Sequence, residues 1–359
     1  MNRKKCGSVP DREAQLLRGF PSGKLGVFHY AGIGDWMVFA PFLREIKRLR
    51  PRRKIYVVAS RNIEWMLKGD PHIDGYSILP DCSVLQKHFR PDEKIFISTF
   101  AGFHNLTHCR LHILDLTRKI LGLPFTKNEY APSCFLRPED ESLGQTYSKA
   151  FKGRMIAVCN DTSQKEKSWD PARWGRLVEQ FKEYIFVQIG DVASRHIPGA
   201  MLMAGKISFT QAMGIVKHAR LFVGVDGVFN HVARTLEVPQ VILWGPPHPV
   251  YFAYRRNSVN IWKGVFCGTC PHTPGGPCMS KSKYSLSPCL EAITVPDVVN
   301  AIRKQLGQLH DAAVRYYEPP PFSPARCRGC VSRRLCTIDF FAKPLSDLFL
   351  WKVANPAKR

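Results

Sequence analysis

Two junctions in this sequence carry residue types that could bind and transform a charged ligand. The apolar run 221–225 ends on Asp226 and leads into a helix that contains His231, and the run 25–30 leads through a glycine-rich turn to Asp35. A carboxylate at such a junction can accept a proton from a ligand, and the N–H groups at a helix start can bind an anion. Ligands of open α/β sheets bind where strands end and helices begin. The two junctions therefore predict two ligand-binding domains.

The elements around these junctions alternate between strands and helices, which predicts parallel sheets covered on both faces. In the first half, the pattern predicts strands near 26–30, 54–59, 76–79 and 94–99, and helices near 36–50, 62–67 and 111–121. In the second half, it predicts strands near 155–158, 184–189, 221–225 and 240–244, and helices near 171–181, 209–218 and 296–309. Asp170 and Pro171 are expected to be the N-cap and first residue of a helix.

The domain boundary is expected within residues 132–144, where prolines and acids occur without a clear apolar period. The sequence is thus interpreted as an α/β N-terminal domain over 24–135 and a second α/β domain over 150–310. A basic, cysteine-containing C-terminal extension follows over 318–359 after a proline-rich linker.

The chain has 359 residues and a formal charge of +23, because 52 Lys and Arg face 29 Asp and Glu. A positive surface attracts polyanions or anionic membrane. The basic residues are dispersed and form no recognisable nucleic-acid-binding motif, so peripheral contact with an anionic membrane is expected and nucleic acid is not. The sequence contains no apolar run of about eighteen residues and no signal-like apolar centre in its first twenty residues, so a cytoplasmic location is expected.

Four cysteines have the spacing of a metal site. Cys267 and Cys270 form a CxxC pair, and Cys278 and Cys289 could complete a tetrahedral set of thiolates that suits zinc or iron. Four protein ligands leave no open position, so such a metal would be structural. Cys327, Cys330 and Cys336 supply only three ligands; a second site there would need a histidine or a further cysteine, and a basic tail with incidental thiols is the alternative.

Five sequence segments, taken in order, resemble glycosyltransferase family 9, whose members include bacterial ADP-heptose:lipopolysaccharide heptosyltransferases. The similar segments are the Gly32-Ile33-Gly34-Asp35 loop, the Pro71-His72-Ile73-Asp74 turn, the Lys167 to Trp174 stretch, the Asp226 to His231 helix start, and Val238-Pro239 with Trp244-Gly245-Pro246. The resemblance implies a GT-B fold, in which two Rossmann-like doubly wound domains face each other across a cleft. Here the fold would carry the cysteine-rich C-terminal extension.

The resemblance also implies roles for individual residues. Asp35 matches the catalytic base, on an acceptor-side loop that includes Gly32 and Gly34. The donor-binding residues implied are Lys167, Thr162, Ser163, Asp191, Asp226, Gly227 and His231. Some family members bind iron through a cysteine finger at the place of Cys267, Cys270, Cys278 and Cys289, and catalysis itself is expected to need no cofactor.

Four of these residues also have a structural interpretation. Asp35 and Asp226 could be helix N-caps, Lys167 could lie on a solvated loop, and His231 could be a satisfied histidine between helix and sheet. The chain also departs from the family after Asp226, where Gly227 replaces a common serine or threonine. This change removes a hydroxyl from the expected phosphate site.

The function expected from the resemblance is transfer of heptose from ADP-heptose to a hydroxyl of a lipopolysaccharide-type acceptor in a bacterium. The enzyme would lie in the cytoplasm or peripherally at the inner face of the inner membrane. Two alternatives stay open: protein O-heptosylation of the autotransporter-modifying kind, and a catalytically silent nucleotide-sugar-binding or scaffold protein. The partners expected are a nucleotide-sugar donor and an anionic glycolipid or protein acceptor.

Overall fold

The computed structural model describes residues 23–98, 112–121, 123, 131–160, 162, 164–246, 249–263, 287–307 and 342–347. The described residues form two compact units, one made of 23–123 with 342–347 and the other of 131–307. Each unit contains a predominantly parallel sheet whose strands alternate with helices. The predicted α/β class is therefore confirmed in both halves of the chain.

The first unit begins with the predicted alternation of strands and helices. Its elements are β1 (Lys24–His29), α1 (Ile33–Leu49), β2 (Lys54–Ala59), a 3-10 turn (Arg61–Ile63), α2 (Glu64–Leu67), β3 (Gly75–Ile78), α3 (Ser83–His88), β4 (Lys94–Ile97) and α4 (Ile113–Ile120). These four strands are parallel in the order β4-β1-β2-β3. Since β1 has β2 on one side and β4 on the other, the strand order reverses between β1 and β4, which is where such sheets bind ligands.

The second unit repeats this architecture with six parallel strands. Its elements are α5 (Pro138–Ala150), β5 (Met155–Cys159), a 3-10 turn (Lys165–Lys167), α6 (Pro171–Glu179), β6 (Ile185–Gln188), β7 (Met201–Leu202), α7 (Phe209–His218), β8 (Leu221–Val225), α8 (Val228–Thr235), β9 (Gln240–Leu243), a 3-10 turn (Pro249–Tyr251), β10 (Ser258–Ile261), α9 (Pro288–Glu291) and α10 (Val295–Gln305). The strand order is β10-β9-β8-β5-β6-β7. Here the order reverses between β5 and β8, so residues after these two strands share one edge of the sheet.

Helix α5 occupies much of the segment that the sequence interpretation treats as an aperiodic domain boundary. It packs against α7 through two glycines: a Cβ placed on Gly144 would lie 2.1 Å from the carbonyl oxygen of Gly214. On the same contact, Thr210 Oγ1 donates to Asp140 Oδ1 at 2.9 Å. Because the two backbones approach each other directly, the helix needs no stripe of large apolar residues. A helix therefore forms at 138–150 although this part of the sequence has no clear apolar period.

The last described residues add to the first unit. Strand β11 (Ala342–Pro344) pairs antiparallel with β4, and a 3-10 turn (Leu345–Asp347) follows. Leu345 is fully buried in a cluster with Phe28 and Ile95. This part of the predicted C-terminal extension is therefore an edge strand of the N-terminal sheet.

One hydrophobic cluster of the second unit lies between its sheet and the helices α6 and α10. Trp169 and Trp174 are buried there, edge to face with ring centroids 5.0 Å apart. Asp170 accepts a hydrogen bond from the N–H of Ala172 at 2.8 Å, and Pro171 is the first residue of α6, so the predicted cap is confirmed. None of the helices in the described ranges combines the length and apolar character that a bilayer crossing requires.

Candidate functional site

The turn after β1 places Asp35 at the edge of the first sheet. Gly32 is the N-cap of α1, and Asp35 is the third helical residue, with Gly34 before it in the same turn. The N–H of Gly32 donates to Asp35 Oδ2 at 3.1 Å, which is half of a capping box. Asp35 is therefore not the N-cap, although it stabilises the helix start. Its half-buried carboxylate lies where the strand order reverses.

His29, the last residue of β1, is a polar group at this edge that the sequence analysis missed. It is fully buried, and its Nδ1 lies 2.6 Å from the carbonyl oxygen of Ser98, the residue after β4. Its Nε2 lies 3.3 Å from the carbonyl oxygen of Gly32. Burial lowers the pKa of His29 to about 4, against the opposing effect of these carbonyls. A histidine just before a glycine turn at a strand end is the signal that could have found it.

In the second unit, the 3-10 turn before α6 aims Lys167 at the end of β8. Lys167 Nζ lies 2.6 Å from Asp226 Oδ2, and the two side chains are only 14% and 6% exposed. The N-cap of α8 is Gly227, and the helix begins at Val228. The interpretation of Asp226 as an N-cap was therefore wrong, and so was that of Lys167 as a solvated side chain. The structure brings the two residues together as a shielded ion pair.

Gly227 and Thr162 meet beside this ion pair. A Cβ on Gly227 would lie 2.9 Å from Thr162 Cγ2, which is closer than real Cβ contacts allow. Thr162 follows β5 and Gly227 follows β8, and the two strands are neighbours. The hydroxyl of Thr162 accepts a hydrogen bond from the N–H of Gln164 at 3.1 Å. A larger residue at position 227 would displace Thr162. The glycine therefore leaves the room that the threonine side chain occupies.

His231 lies in the second turn of α8, and its side chain is almost entirely buried. Its Nδ1 lies 2.8 Å from the hydroxyl oxygen of Tyr254, a partner that the sequence analysis did not anticipate. Burial lowers the pKa of His231 to about 4, Asp226 opposes that shift and Lys167 adds to it. The ring is therefore neutral near pH 7. It can position groups beside the ion pair by hydrogen bonding, but it carries no positive charge that would attract an anion.

Asp191 follows β6, the strand next to β5, and so lies at the same edge of the sheet as the residues after β5 and β8. Its carboxylate is exposed and accepts a hydrogen bond from the N–H of Ala193 at 3.0 Å. A buried network fixes the base of this loop, in which Asn160 Nδ2 and Gln188 Nε2 both donate to the carbonyl oxygen of Arg195 at 2.8 Å. The Asn160 side chain thus holds the loop by hydrogen bonding, whereas the Asp191 carboxylate is exposed to solvent.

The remaining predicted site residues lie mostly outside the described residues: Ser163, Cys267, Cys270 and Cys278. Cys289 is described, and it is buried in α9. This helix packs at the end of β9, where a Cβ on Gly245 would lie 2.7 Å from Leu290 Cδ1. Within the described ranges no group of three or more His, Cys, Asp or Glu side chains is arranged to hold a metal ion.

Two parallel-sheet units, each with polar residues where its strand order reverses, are the architecture of the GT-B fold, which is built from two Rossmann-like domains. Solved structures share this fold. A glycosyltransferase family 9 protein from Veillonella parvula superposes with a TM-score of 0.58 at 15% identity over 80% of this chain and 98% of that one. The iron-containing dodecameric glycosyltransferase TibC from enterotoxigenic E. coli H10407 gives 0.57 at 17% identity over 81% and 78%, and it has also been solved with ADP-D-β-D-heptose.

The sequence itself carries the family signal. Residues 111–274 match the glycosyltransferase family 9 (heptosyltransferase) model, which confirms the resemblance derived from the motifs. Lipopolysaccharide heptosyltransferase 3 of Escherichia coli is 22% identical over 160 residues, which are 39% of this chain and 45% of the relative. The chain thus aligns with under half the length of that relative.

Proposed function

We propose that this chain is a glycosyltransferase that moves a sugar from a nucleotide-sugar donor to an acceptor hydroxyl. The observation that carries the proposal is the shielded Lys167–Asp226 ion pair beside Gly227 and Thr162, at the strand-order reversal of the second sheet. A buried cation at the start of a helix is suited to a diphosphate. The family 9 match over residues 111–274 includes this region.

In the proposed reaction, Asp35 accepts the proton of the acceptor hydroxyl as its oxygen attacks the anomeric carbon of the donor sugar. The bond from that carbon to the diphosphate oxygen breaks, and the nucleoside diphosphate leaves with the electron pair. Lys167 and the first-turn N–H groups of α8 stabilise the negative charge that develops on it. The ammonium group has three N–H donors, so Lys167 can bind Asp226 and a phosphate oxygen together. Asp226 thus aims the lysine.

The other donor contacts follow from position. The methyl group of Thr162 faces Gly227, and its hydroxyl, which accepts from the N–H of Gln164, would take the place of the hydroxyl that relatives carry at residue 227. Ser163 is the next residue in the sequence. Asp191 is exposed at the end of β6 and is available to a ribose hydroxyl. The neutral ring of His231 holds the helix that faces the diphosphate.

The donor we propose is ADP-heptose, and the acceptor is a lipopolysaccharide-type glycolipid. The names of the curated relative and of the TibC complex support this choice. The charge of +23 would draw the protein to an anionic acceptor at a membrane surface. Protein O-heptosylation is the second candidate, favoured by the likeness to the iron-containing TibC and by the cysteine spacing.

We further propose a structural metal at Cys267, Cys270, Cys278 and Cys289. Four thiolates in this spacing suit zinc or iron and leave no coordination position for substrate. The metal would therefore stabilise the segment that ends in α9 and take no part in catalysis.

The test is a transfer and donor-hydrolysis assay with ADP-heptose and a panel of other nucleotide sugars. We expect turnover of one donor in the wild type and loss of transfer in Asp35→Asn. Asp81→Asn is the matched control, because the Asp81 carboxylate also accepts a hydrogen bond from a backbone N–H at a helix start in the first unit, that of Ser83 at 2.7 Å. Binding of the donors without turnover across all acceptors would instead indicate the scaffold function.

A further inference from the structure

His29 is a buried titratable side chain that the proposed chemistry does not use. It lies between two carbonyl oxygens, that of Ser98 at 2.6 Å from Nδ1 and that of Gly32 at 3.3 Å from Nε2. A carbonyl oxygen only accepts hydrogen bonds, so the short contact requires a proton on Nδ1. Nδ1–H therefore donates to Ser98, whose hydroxyl oxygen also lies 3.0 Å away.

The anchor on the Ser98 side belongs to the rigid sheet. The N–H of Ser98 donates to the carbonyl oxygen of Phe28 at 2.9 Å, which continues the pairing of β4 with β1. The hydrogen bond from His29 thus ties the ends of the two strands together across the point where the strand order reverses. Its imidazole ring is held in one place by the sheet.

The opposite edge of the ring bounds the glycine turn. Because burial lowers the pKa of His29 to about 4, the ring is neutral and its single proton is on Nδ1. Nε2 therefore contacts the carbonyl oxygen of Gly32 at 3.3 Å by packing and not by a hydrogen bond. The ring also packs edge to face against Trp36 with centroids 5.2 Å apart. Gly32 is also the residue whose N–H donates to Asp35 Oδ2 at 3.1 Å. A single glycine residue therefore contacts His29 through its carbonyl and Asp35 through its amide.

We infer that His29 is a positioning residue that fixes the Gly32 turn and thereby the direction of the Asp35 carboxylate. This inference rests on the proposed function, because it assigns the geometry to Asp35 acting as the base. His29 touches no reacting atom in this proposal. Its effect passes from Ser98 through the ring to Gly32 and then to Asp35.

The experiment compares His29→Phe and His29→Asn with the wild type in the transfer assay. The phenylalanine keeps the ring but loses the donor to Ser98, whereas asparagine keeps an N–H near Nδ1 and loses the ring edge at Gly32. Small misplacement of a catalytic group costs up to about a hundredfold in rate. We expect kcat to fall about ten- to hundredfold in His29→Phe, with an intermediate value in His29→Asn.

The affinity for ADP, measured by calorimetry, is expected to stay at the wild-type value because the donor residues belong to the other unit. His88→Phe is the control, since His88 stacks on Tyr56 in the same unit with ring centroids 3.9 Å apart and keeps its stacking as phenylalanine. A wild-type kcat in either His29 variant, or a parallel loss of ADP affinity, would overturn the inference. If His29→Phe does not fold, His29→Asn is judged by the same criterion.

The two proposals fail in different ways. If Asp35→Asn leaves transfer intact, the proposed base is wrong, and the role of His29 is overturned with it. If Asp35→Asn abolishes transfer while His29→Phe retains full kcat, the base stands and only the positioning role is overturned.

Discussion

The Lys167–Asp226 ion pair allows a donor-binding role to be separated from a purely structural one. Its Nζ and Oδ2 are 2.6 Å apart, and the side chains are 14% and 6% exposed. Breaking a buried pair from one side leaves an uncompensated charge and costs about 3–5 kcal/mol, whereas removing both charges costs much less. Lys167→Met should therefore lower the free energy of unfolding by about 3 kcal/mol or more. Lys167→Met/Asp226→Asn should recover at least about 2 kcal/mol of that loss.

The affinity for ADP should follow a different pattern. A hydrogen bond from an ammonium group to a phosphate contributes about 1.5–3 kcal/mol, so Lys167→Met should weaken ADP binding about ten- to hundredfold. The double variant should remain as weak, because no cation has been returned to the site. Urea unfolding gives the stability, and titration calorimetry with ADP gives the affinity.

The control is the more exposed pair of Lys217 and Glu141, on α7 and α5 of the same unit, whose side chains are 38% and 15% exposed. Lys217→Met should change stability by less than about 1 kcal/mol and leave ADP affinity unchanged. If Lys167→Met/Asp226→Asn binds ADP as tightly as the wild type, the lysine is only one half of a structural salt bridge. The assignment of the diphosphate site would then be refuted.

Three further outcomes are expected. Gly144→Ala should destabilise the protein by about 1–3 kcal/mol, because its Cβ would lie 2.1 Å from a backbone oxygen. Gly69→Ala is the control and should leave stability unchanged, because nothing lies within 4 Å of the added Cβ. Equal urea midpoints for the two variants would contradict the prediction. Burial lowers the pKa of His231 from its ordinary 6.5 to about 4. Between pH 6.5 and about 4 the unfolded chain therefore binds a proton that the folded protein does not. The free energy of unfolding should fall by up to about 3 kcal/mol as the pH drops through this range. His231→Gln should remove about 1.4 kcal/mol per pH unit from that slope in urea unfolding, and an unchanged slope would refute the shift. Mass spectrometry of the purified protein should find about one zinc or iron ion per chain. The metal should be lost in Cys270→Ser and kept in the control Cys134→Ser. A wild-type protein without metal would exclude the site.

The strands and most helices could be predicted because burial imposes their patterns directly. Residues 221–225 and 209–218 have the boundaries that the pattern gives, and Asp170 caps α6 as expected. Helix α5 could not be predicted in this way, since it packs through Gly144 and Gly214 and not through an apolar stripe. Strand β11 is only three residues long, and its partner lies far away in the sequence.

The site was predictable to the extent that a motif marks it. Asp35 and Asp226 stand at strand ends within recognisable motifs, whereas the contact of His29 with Ser98 joins residues 69 positions apart. The same holds for His231 and Tyr254, which are 23 positions apart. Such partners depend on the strand order, which the alternation of elements does not determine.

The stretch from Lys167 to Trp174 shows how the fold and the proposed donor site depend on each other. Trp169 Nε1 donates to the carbonyl oxygen of Ile293 at 3.0 Å, and Arg173 donates to the same oxygen and to that of Glu291, both at 2.6 Å. The segment 291–293 begins two residues after Cys289. The turn that aims Lys167 at Asp226 is therefore anchored on the residues after the cysteine cluster. The metal we propose there would stabilise the proposed donor site without touching the donor, since it would hold the backbone on which that lysine depends.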